Sequence, residues 1–144
     1  MRFDLKKPCP QCPFKRSAGG FLTESRAREI AESILHGNVT FTCHKTITGG
    51  YDDEEGDEEI GEEYNNYLPG AGDQHCAGAM AMYDKLEGNY IEGHRHPVSN
   101  QMLQIAERLR LRDRNRLDPK YQDEVYDSVD EMGEAHLSNR PARR

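Results

Sequence analysis

Four cysteines are the side chains in this sequence that are best suited to chemistry, and their spacing suggests that they act together. They form one C-x2-C pair and two single residues, separated by 30 and 32 residues, namely Cys9, Cys12, Cys43 and Cys76. Four thiolates satisfy either one tetrahedral zinc ion or one [4Fe–4S] cluster. In a reducing compartment cysteines are more often ligands than disulfides. We therefore expect this set, here called the cysteine site, to bind one metal centre.

The residue after the C-x2-C pair bears on which metal the site binds. Zinc and rubredoxin-type turns usually continue with glycine, which takes a positive φ and donates its N–H to a sulfur. Pro13 occupies that place here, and proline can neither reach a positive φ nor donate an N–H. Structural zinc sites also usually take their cysteines as two close pairs. Both points favour a [4Fe–4S] cluster, and zinc stays open as the alternative.

Polar residues beside the cysteines are expected to tune the site without completing it. His44 follows Cys43, and His75 precedes Cys76. Because four thiolates already fill a site, we expect these two histidines to hydrogen-bond to sulfur. Lys15 adds positive charge, which favours the thiolate form.

The other histidines are weaker candidates. His94 and His96 lie two apart in a loop, where an ordinary polar loop is favoured over a second metal site. His36 and His136 lie near the C-terminal ends of predicted helices. Their positive form suits the helix dipole at that position, and we expect no further function of them.

The first half of the chain contains elements that would position these cysteines. Thr23 is a helix cap, and the helix that follows is expected to stop at Gly37. Its apolar face is predicted from i, i+3, i+4, i+7 spacing to be Ala27, Ile30, Ala31 and Ile34. Residues 39–42 alternate as a short strand would and deliver Cys43. Cys76 opens a second helix, whose buried stripe is expected to be Ala79, Met82, Tyr83 and Leu86.

Two further helices are predicted in the second half. One begins near Ser99, with a staple between Val98 and Leu103. Its buried stripe is expected to be Met102, Ile105, Ala106 and Leu109. The last helix begins at Asp118-Pro119, a cap followed by proline at the first helical position. It is expected to bury Tyr121, Val125, Val129 and Met132 and to stop at Gly133.

The fold class expected from these elements is mostly α with a short β element, a small α+β domain centred on the metal. We expect one metal-binding domain over residues 1–133, with an acidic loop insertion at 51–74 and a flexible tail at 134–144. The insertion contains nine carboxylates and no Lys or Arg between Asp52 and Glu63. Such a block of like charge is typical of a solvated loop.

Partners are weakly indicated. The net charge of −7 derives from the acidic block, outside which 19 Lys and Arg face 17 Asp and Glu. A basic run at Arg108, Arg110, Arg112, Arg114 and Arg116 allows nucleic-acid contact, although a solvated and salt-bridged surface is favoured. No secretory signal or membrane-length apolar run is evident, so we expect a cytoplasmic protein with an unidentified protein partner.

With these motifs assembled, the sequence resembles an uncharacterised family of small bacterial and phage four-cysteine proteins. The shared signature is CxxCPF(R/K), then CHKT, then CAG, which here begin at Cys9, Cys43 and Cys76. The resemblance spans about residues 8–82, and the 100–130 region is also similar to the phage members. It implies a shared metal site and no particular activity.

We therefore expect a small [4Fe–4S] protein that senses redox state or transfers electrons. The alternative is a zinc-binding structural or interaction module that contacts nucleic acid or a partner protein. The chain contains none of the P-loop, GxGxxG, HExxH or nucleophile-elbow motifs. Whether it is an enzyme is left open.

Overall fold

The computed structural model describes residues 2–46, 50–51, 67–68, 73–91 and 93–138. Within these ranges the chain forms one small, mostly helical domain with little strand, as expected. The α-helices are α1 (Glu24–His36), α2 (Ala77–Leu86), α3 (Gln101–Arg108) and α4 (Val129–Ser138). Two 3-10 helices cover Arg16–Ala18 and Pro119–Glu124. The two-residue strands β1 (Gly50–Tyr51) and β2 (Tyr67–Leu68) pair antiparallel, with Gly50 opposite Leu68.

Helix α1 begins where its cap was predicted. Thr23 Oγ1 accepts a hydrogen bond from the Arg26 N–H at 3.1 Å, which satisfies one of the free N–H groups at the helix start. The predicted apolar face is buried and packs mainly on α4 and also on α2. At the C-terminal end, Gly37 has a φ of −94°, and the left-handed residue is Asn38, with a φ of 55°. The helix therefore ends at the predicted glycine, and the residue with a positive φ follows one position later.

Helix α2 lies at the centre of the molecule. Cys76 is its N-cap, and all seven residues from Ala77 to Tyr83 are buried, so burial is not confined to the predicted stripe. The segment before Cys43, predicted as a strand, forms only an isolated bridge between Thr42 and His75. Two backbone hydrogen bonds hold this bridge, from the Cys43 N–H to the Gln74 carbonyl and from the Cys76 N–H to the Phe41 carbonyl.

Helix α3 buries a different face from the one predicted. Asn100, fully buried, caps it by accepting from the Leu103 N–H at 3.2 Å. Its side-chain amide also donates to the carbonyl groups of Ile34 and Val39 near the end of α1. These bonds set the rotation of α3, so that Leu103 and Ala106 are buried. Three of the four residues predicted to be buried are instead exposed, and these are Met102, Ile105 and Leu109.

The prediction of a single last helix after Asp118 is wrong. Asp118 does cap a helix, but this is the 3-10 helix Pro119–Glu124, and extended chain then separates it from α4. The break forms because Lys85 Nζ binds the Val125 carbonyl and the Tyr126 N–H binds the Phe14 carbonyl. These tertiary bonds divert backbone groups that a continuous helix would use.

Helix α4 also passes through its predicted end at Gly133 and reaches Ser138. A Cβ at Gly133 would lie 2.6 Å from Arg28 Nε, so this glycine serves close helix packing. Five residues assigned to the tail, 134–138, are thus helical. The rest of the tail and the acidic block 52–63 lie outside the described residues. In the part of the chain that is described, no helix combines the length and apolar character needed to cross a membrane.

Candidate metal centre

The fold brings together all four cysteines from three separate segments of the chain. Cys9 and Cys12 share a turn, in which the Cys12 N–H donates to the Cys9 carbonyl at 3.1 Å. Cys43 and Cys76 each follow one of the two residues of the Thr42–His75 bridge, and Cys76 is also the N-cap of α2. The sulfurs of Cys12 and Cys76 are 3.5 Å apart. Cys9 is half-buried and the other three are buried, so the thiols form a shielded cluster with one more open side.

The sulfurs are spread unevenly within this cluster. Two ligands about 2.3 Å from a tetrahedral zinc ion are about 3.8 Å apart, and the Cys12–Cys76 pair is close to that separation. Cys43 lies near enough to both Cys9 and Cys12 for their charges to raise its pKa. Nevertheless, among the described residues the only group of three or more His, Cys, Asp or Glu side chains whose ligand atoms all lie within 4.8 Å of one another contains no cysteine. The four sulfurs therefore occupy a larger volume than a single preformed zinc site.

Cys12 is the sulfur that the fold prepares as a thiolate. A hydrogen bond from the Cys76 thiol lowers the pKa of Cys12. Burial acts in the opposite direction, and backbone N–H groups of Phe14, Gly78 and Lys15 lower the pKa further. N–H groups aimed at sulfur favour the charged form. The expected glycine donor after the C-x2-C pair is thus replaced by amides further along the turn and by the start of α2.

The other buried thiols are held in their neutral form. Burial raises the pKa of Cys43, and the charges of Cys9 and Cys12 raise it further. The hydrogen bond to Cys12 raises the pKa of Cys76 well above its ordinary value, with burial adding to the effect. Crowded thiols of this kind repel each other when ionised, and a bound cation removes that repulsion. The donor set therefore fits a cationic metal centre.

Gly78 is a site residue that spacing alone did not single out. A Cβ at this position would lie 2.2 Å from Cys12 Sγ, closer than any stable contact. The glycine lets the first turn of α2 approach the sulfur and present its N–H. The CAG motif contained this signal, because a glycine inside a helix otherwise lowers helix stability.

Of the three neighbouring residues expected to tune the sulfurs, only His44 brings its side chain within hydrogen-bond distance of one. His44 is exposed, with Nε2 4.0 Å from Cys9 Sγ. His75 is buried and its Nδ1 accepts from the Phe41 N–H, so it orders the segment before Cys43 and makes no hydrogen bond to sulfur. Burial, with a smaller effect of the Arg112 charge, lowers the pKa of His75 to about 3. Lys15 contributes its backbone N–H, since its ammonium faces Glu124 at 3.9 Å.

Two residues that sequence reasoning missed support the cysteine turns. The Thr46 hydroxyl donates to the Cys43 carbonyl and accepts from the Gln74 N–H, which ties the two bridged segments together. His136 is fully buried and hydrogen-bonds to the Pro13 carbonyl at 2.9 Å. The CHKT motif contained a hint of the first role. Nothing local indicated the second, because 123 residues separate the partners.

A mostly apolar cleft of about 610 Å³ opens beside the cysteine turn. Its walls include Gln11, Pro13, Phe41 and His44, and it extends to Phe21 and Ile30. Through His44 it adjoins Cys9, the least buried cysteine. The cleft therefore offers a partner or small molecule a route to the open side of the cysteine site.

Comparison of this chain with protein-family models, curated proteins and solved structures finds no match. The resemblance to the bacterial and phage four-cysteine family therefore stays a prediction.

Proposed function

We propose that this protein is a metalloprotein whose cysteine site binds one [4Fe–4S] cluster and that it exchanges electrons or senses redox state through it. The observation that carries the proposal is the convergence of four cysteines from separate segments, with N–H groups directed at Cys12. Unpaired buried thiols with raised pKa values are costly to ionise without a cation. A metal centre accounts for both their burial and their proximity.

The spread of the sulfurs supports a cluster over a single ion. A tetrahedral zinc would hold all four sulfurs about 3.8 Å from each other, whereas only part of this arrangement approaches that spacing. A cubane separates its ligands more widely because each binds a different iron. Cys12 and Cys76 must then move apart on binding.

The residues around the site suit a redox centre. When bound, a cluster supplies one-electron redox chemistry. Hydrogen bonds from backbone N–H groups to sulfur stabilise added negative charge, so those aimed at Cys12 would raise the reduction potential. Burial excludes water from three ligands, while the cleft beside Cys9 leaves one side accessible to an electron-transfer partner.

A four-cysteine zinc module is the second candidate, favoured by the 3.5 Å separation of the Cys12 and Cys76 sulfurs. Its nucleic-acid variant has less support, because much of the basic run is paired within the chain. The pairs are Arg112 with Asp84, Arg114 with Glu87 and Glu107, and Arg116 with Asp4. A salt-bridged surface of this kind has less charge available for phosphate contacts.

The deciding experiment is metal analysis of protein purified without oxygen. About four irons and four sulfides per chain, with a broad absorption band at roughly 400 nm, are expected. One zinc per chain without colour would establish the second candidate in its place. A chain with neither metal would refute the metal centre altogether.

Cys43→Ala is expected to remove the metal and most of the cooperative unfolding transition, because metal binding and folding are coupled. Lys45→Ala is the matched control, since the Lys45 side chain is exposed two residues from Cys43. We expect it to keep the metal content of the unaltered protein. Unchanged metal content and melting in Cys43→Ala would exclude Cys43 as a ligand.

A further inference from the structure

A second group of ligand-type side chains, formed by Glu32, His36 and His94, lies at the C-terminal end of α1. One ligand atom from each lies within 4.8 Å of the others. Glu32 and His36 are four residues apart on α1 and so share one face of the helix. His94 comes from the loop between α2 and α3 and places its Nε2 3.3 Å from Glu32 Oε1. The sequence suggested His94 as a candidate but paired it with His96.

The separation between His94 and Glu32 matches a metal site. Zinc binds His nitrogen at about 2.0–2.1 Å and carboxylate oxygen at about 2.0–2.2 Å. In a tetrahedral site such ligand atoms are about 3.3–3.5 Å apart, and the observed separation is 3.3 Å. Two of the three ligand atoms are therefore already at coordination distance from a common point.

His36 has an unsatisfied ring nitrogen. Its Nε2 is buried and has no hydrogen-bond partner among the described residues. Burial, and then the charge of His94, lower the pKa of His36 against a smaller effect of Glu32, which favours the neutral ring. Neutral imidazole is the form that binds metals. A buried polar atom without a partner is costly, and a bound ion would satisfy it.

We propose that Glu32, His36 and His94 bind one divalent transition-metal ion, with zinc the best fit, at a site separate from the cysteine site. Two imidazoles and one carboxylate are a ligand set found in zinc and non-haem iron sites, and they leave coordination positions open. A cleft of about 510 Å³ adjoins the set, with Asn38, Arg95, His96 and Gln101 among its walls. An open position on the ion is thus accessible to water or to a small ligand.

Binding requires a local rearrangement. The rings of His36 and His94 are stacked, with centroids 4.1 Å apart and planes 9° apart. An ion bound through a ring nitrogen lies near the plane of that ring, so two stacked rings cannot both direct a nitrogen at it. His94 Nε2 already lies beside Glu32, and His36 is the last residue of α1, so we expect the His36 ring to turn out of the stack.

The test uses the full chain, purified without oxygen and with its cysteine site already filled. This protein is titrated with Co²⁺ and, separately, with Zn²⁺. We expect one additional equivalent to bind by calorimetry. The added cobalt should give weak visible bands without the near-ultraviolet charge-transfer band of cobalt–thiolate bonds. Loss of the His36–His94 stack should shift the ring proton resonances of both histidines.

Three variants locate the site. His94→Gln and Glu32→Gln should each abolish binding of the additional equivalent at concentrations that saturate the unaltered protein. His96→Gln is the matched control, since His96 lines the same cleft outside the proposed ligand set, and it should bind normally. Circular dichroism melting checks that each variant folds. Because two ligand residues are replaced separately, the test can still be read if one variant does not fold.

Each contrary outcome overturns the proposal. Absence of an additional equivalent would show that the three side chains do not bind metal. Binding of the additional equivalent by His94→Gln and Glu32→Gln as tight as by the unaltered protein would place the ion elsewhere. A thiolate band on addition of the second equivalent would assign it to the cysteines. None of these results depends on whether the cysteine site binds iron or zinc.

Discussion

His136 on helix α4 joins the C-terminal part of the chain to the first cysteine turn through Pro13. Its Nε2 lies 2.9 Å from the Pro13 carbonyl oxygen, and its Nδ1 accepts from the N–H groups of Phe21 and Leu22 at 3.1 Å each. Because Nδ1 accepts, the ring proton must be on Nε2, which donates to Pro13. One buried imidazole thus connects α4, the cysteine turn and the approach to α1.

Replacement of His136 by Leu is expected to lower the free energy of unfolding by about 3 kcal/mol. It removes three hydrogen bonds, and it leaves a buried carbonyl and two partly buried N–H groups without these partners. Denaturant unfolding of the metal-loaded protein measures the change. His96→Leu, at an exposed loop position, is the control and should change stability by under about 0.5 kcal/mol. Equal stability of the two variants would contradict the role of His136.

Replacement of Gly78 by Ala should strongly reduce metal binding while preserving the helical propensity of α2. The new Cβ would lie 2.2 Å from Cys12 Sγ, so either the sulfur or the first turn of α2 must move. The N–H of residue 78 would then no longer be aimed at the thiolate. Metal content after anaerobic purification is the measurement.

Gly133→Ala is the matched helical control for Gly78→Ala. Its Cβ would meet the side chain of Arg28, with no cysteine atom among its nearest neighbours. We expect this variant to lose stability, because Arg28 must leave its place, but to retain full metal content. Equal metal content in Gly78→Ala and Gly133→Ala would show that the close approach of α2 to Cys12 is dispensable.

The rotation of α3 can be tested with two substitutions on opposite faces. Leu103 is fully buried, and Leu103→Ala should cost about 2–5 kcal/mol of stability. Ile105 is 46% exposed, and Ile105→Ser should cost under about 1 kcal/mol. Thermal melting of both variants decides between the observed face and the one predicted from sequence. A larger loss from Ile105→Ser would reverse the assignment.

The carboxylate of Asp127 should contribute stability that depends on pH. A hydrogen bond from Lys85 is the largest effect and lowers the pKa of Asp127. Burial, the next largest, raises it, and Arg16 at 2.8 Å lowers it further. A lowered pKa stabilises the fold above the ordinary value of about 3.9, and the contribution is lost as pH falls through the lowered value. Solvent screening limits it, since Asp127 is 57% exposed.

Asp127→Asn should therefore be less stable than the unaltered protein by under about 1 kcal/mol between roughly pH 5 and 7. The difference should shrink below about pH 4. Asp123→Asn is the control, because no ion pair to its carboxylate is found among the described residues. Urea unfolding at several pH values measures both. A difference that grows towards low pH would give the opposite sign and reject the interpretation.

Local signals in the sequence were sufficient for the elements that depend on local physics. Thr23 caps α1 and the four spaced apolar residues are its buried face, because capping and helical periodicity act within a few residues. Cys76 begins α2 as predicted, although its side chain makes no capping hydrogen bond. The prediction failed for α3, whose two faces both contain apolar residues. There Asn100, through its bonds to Ile34 and Val39, selects the face that is buried.

Four cysteines of suitable spacing and the short helices around them can be recognised from the order of the amino acids. Which atoms come into contact depends on how the helices pack. The approach of Gly78 to Cys12, the bond from His136 to Pro13, and the meeting of His94 with Glu32 and His36 all join residues far apart in the chain. Such pairs have no local periodicity, because they follow from how the helices pack and not from neighbouring residues.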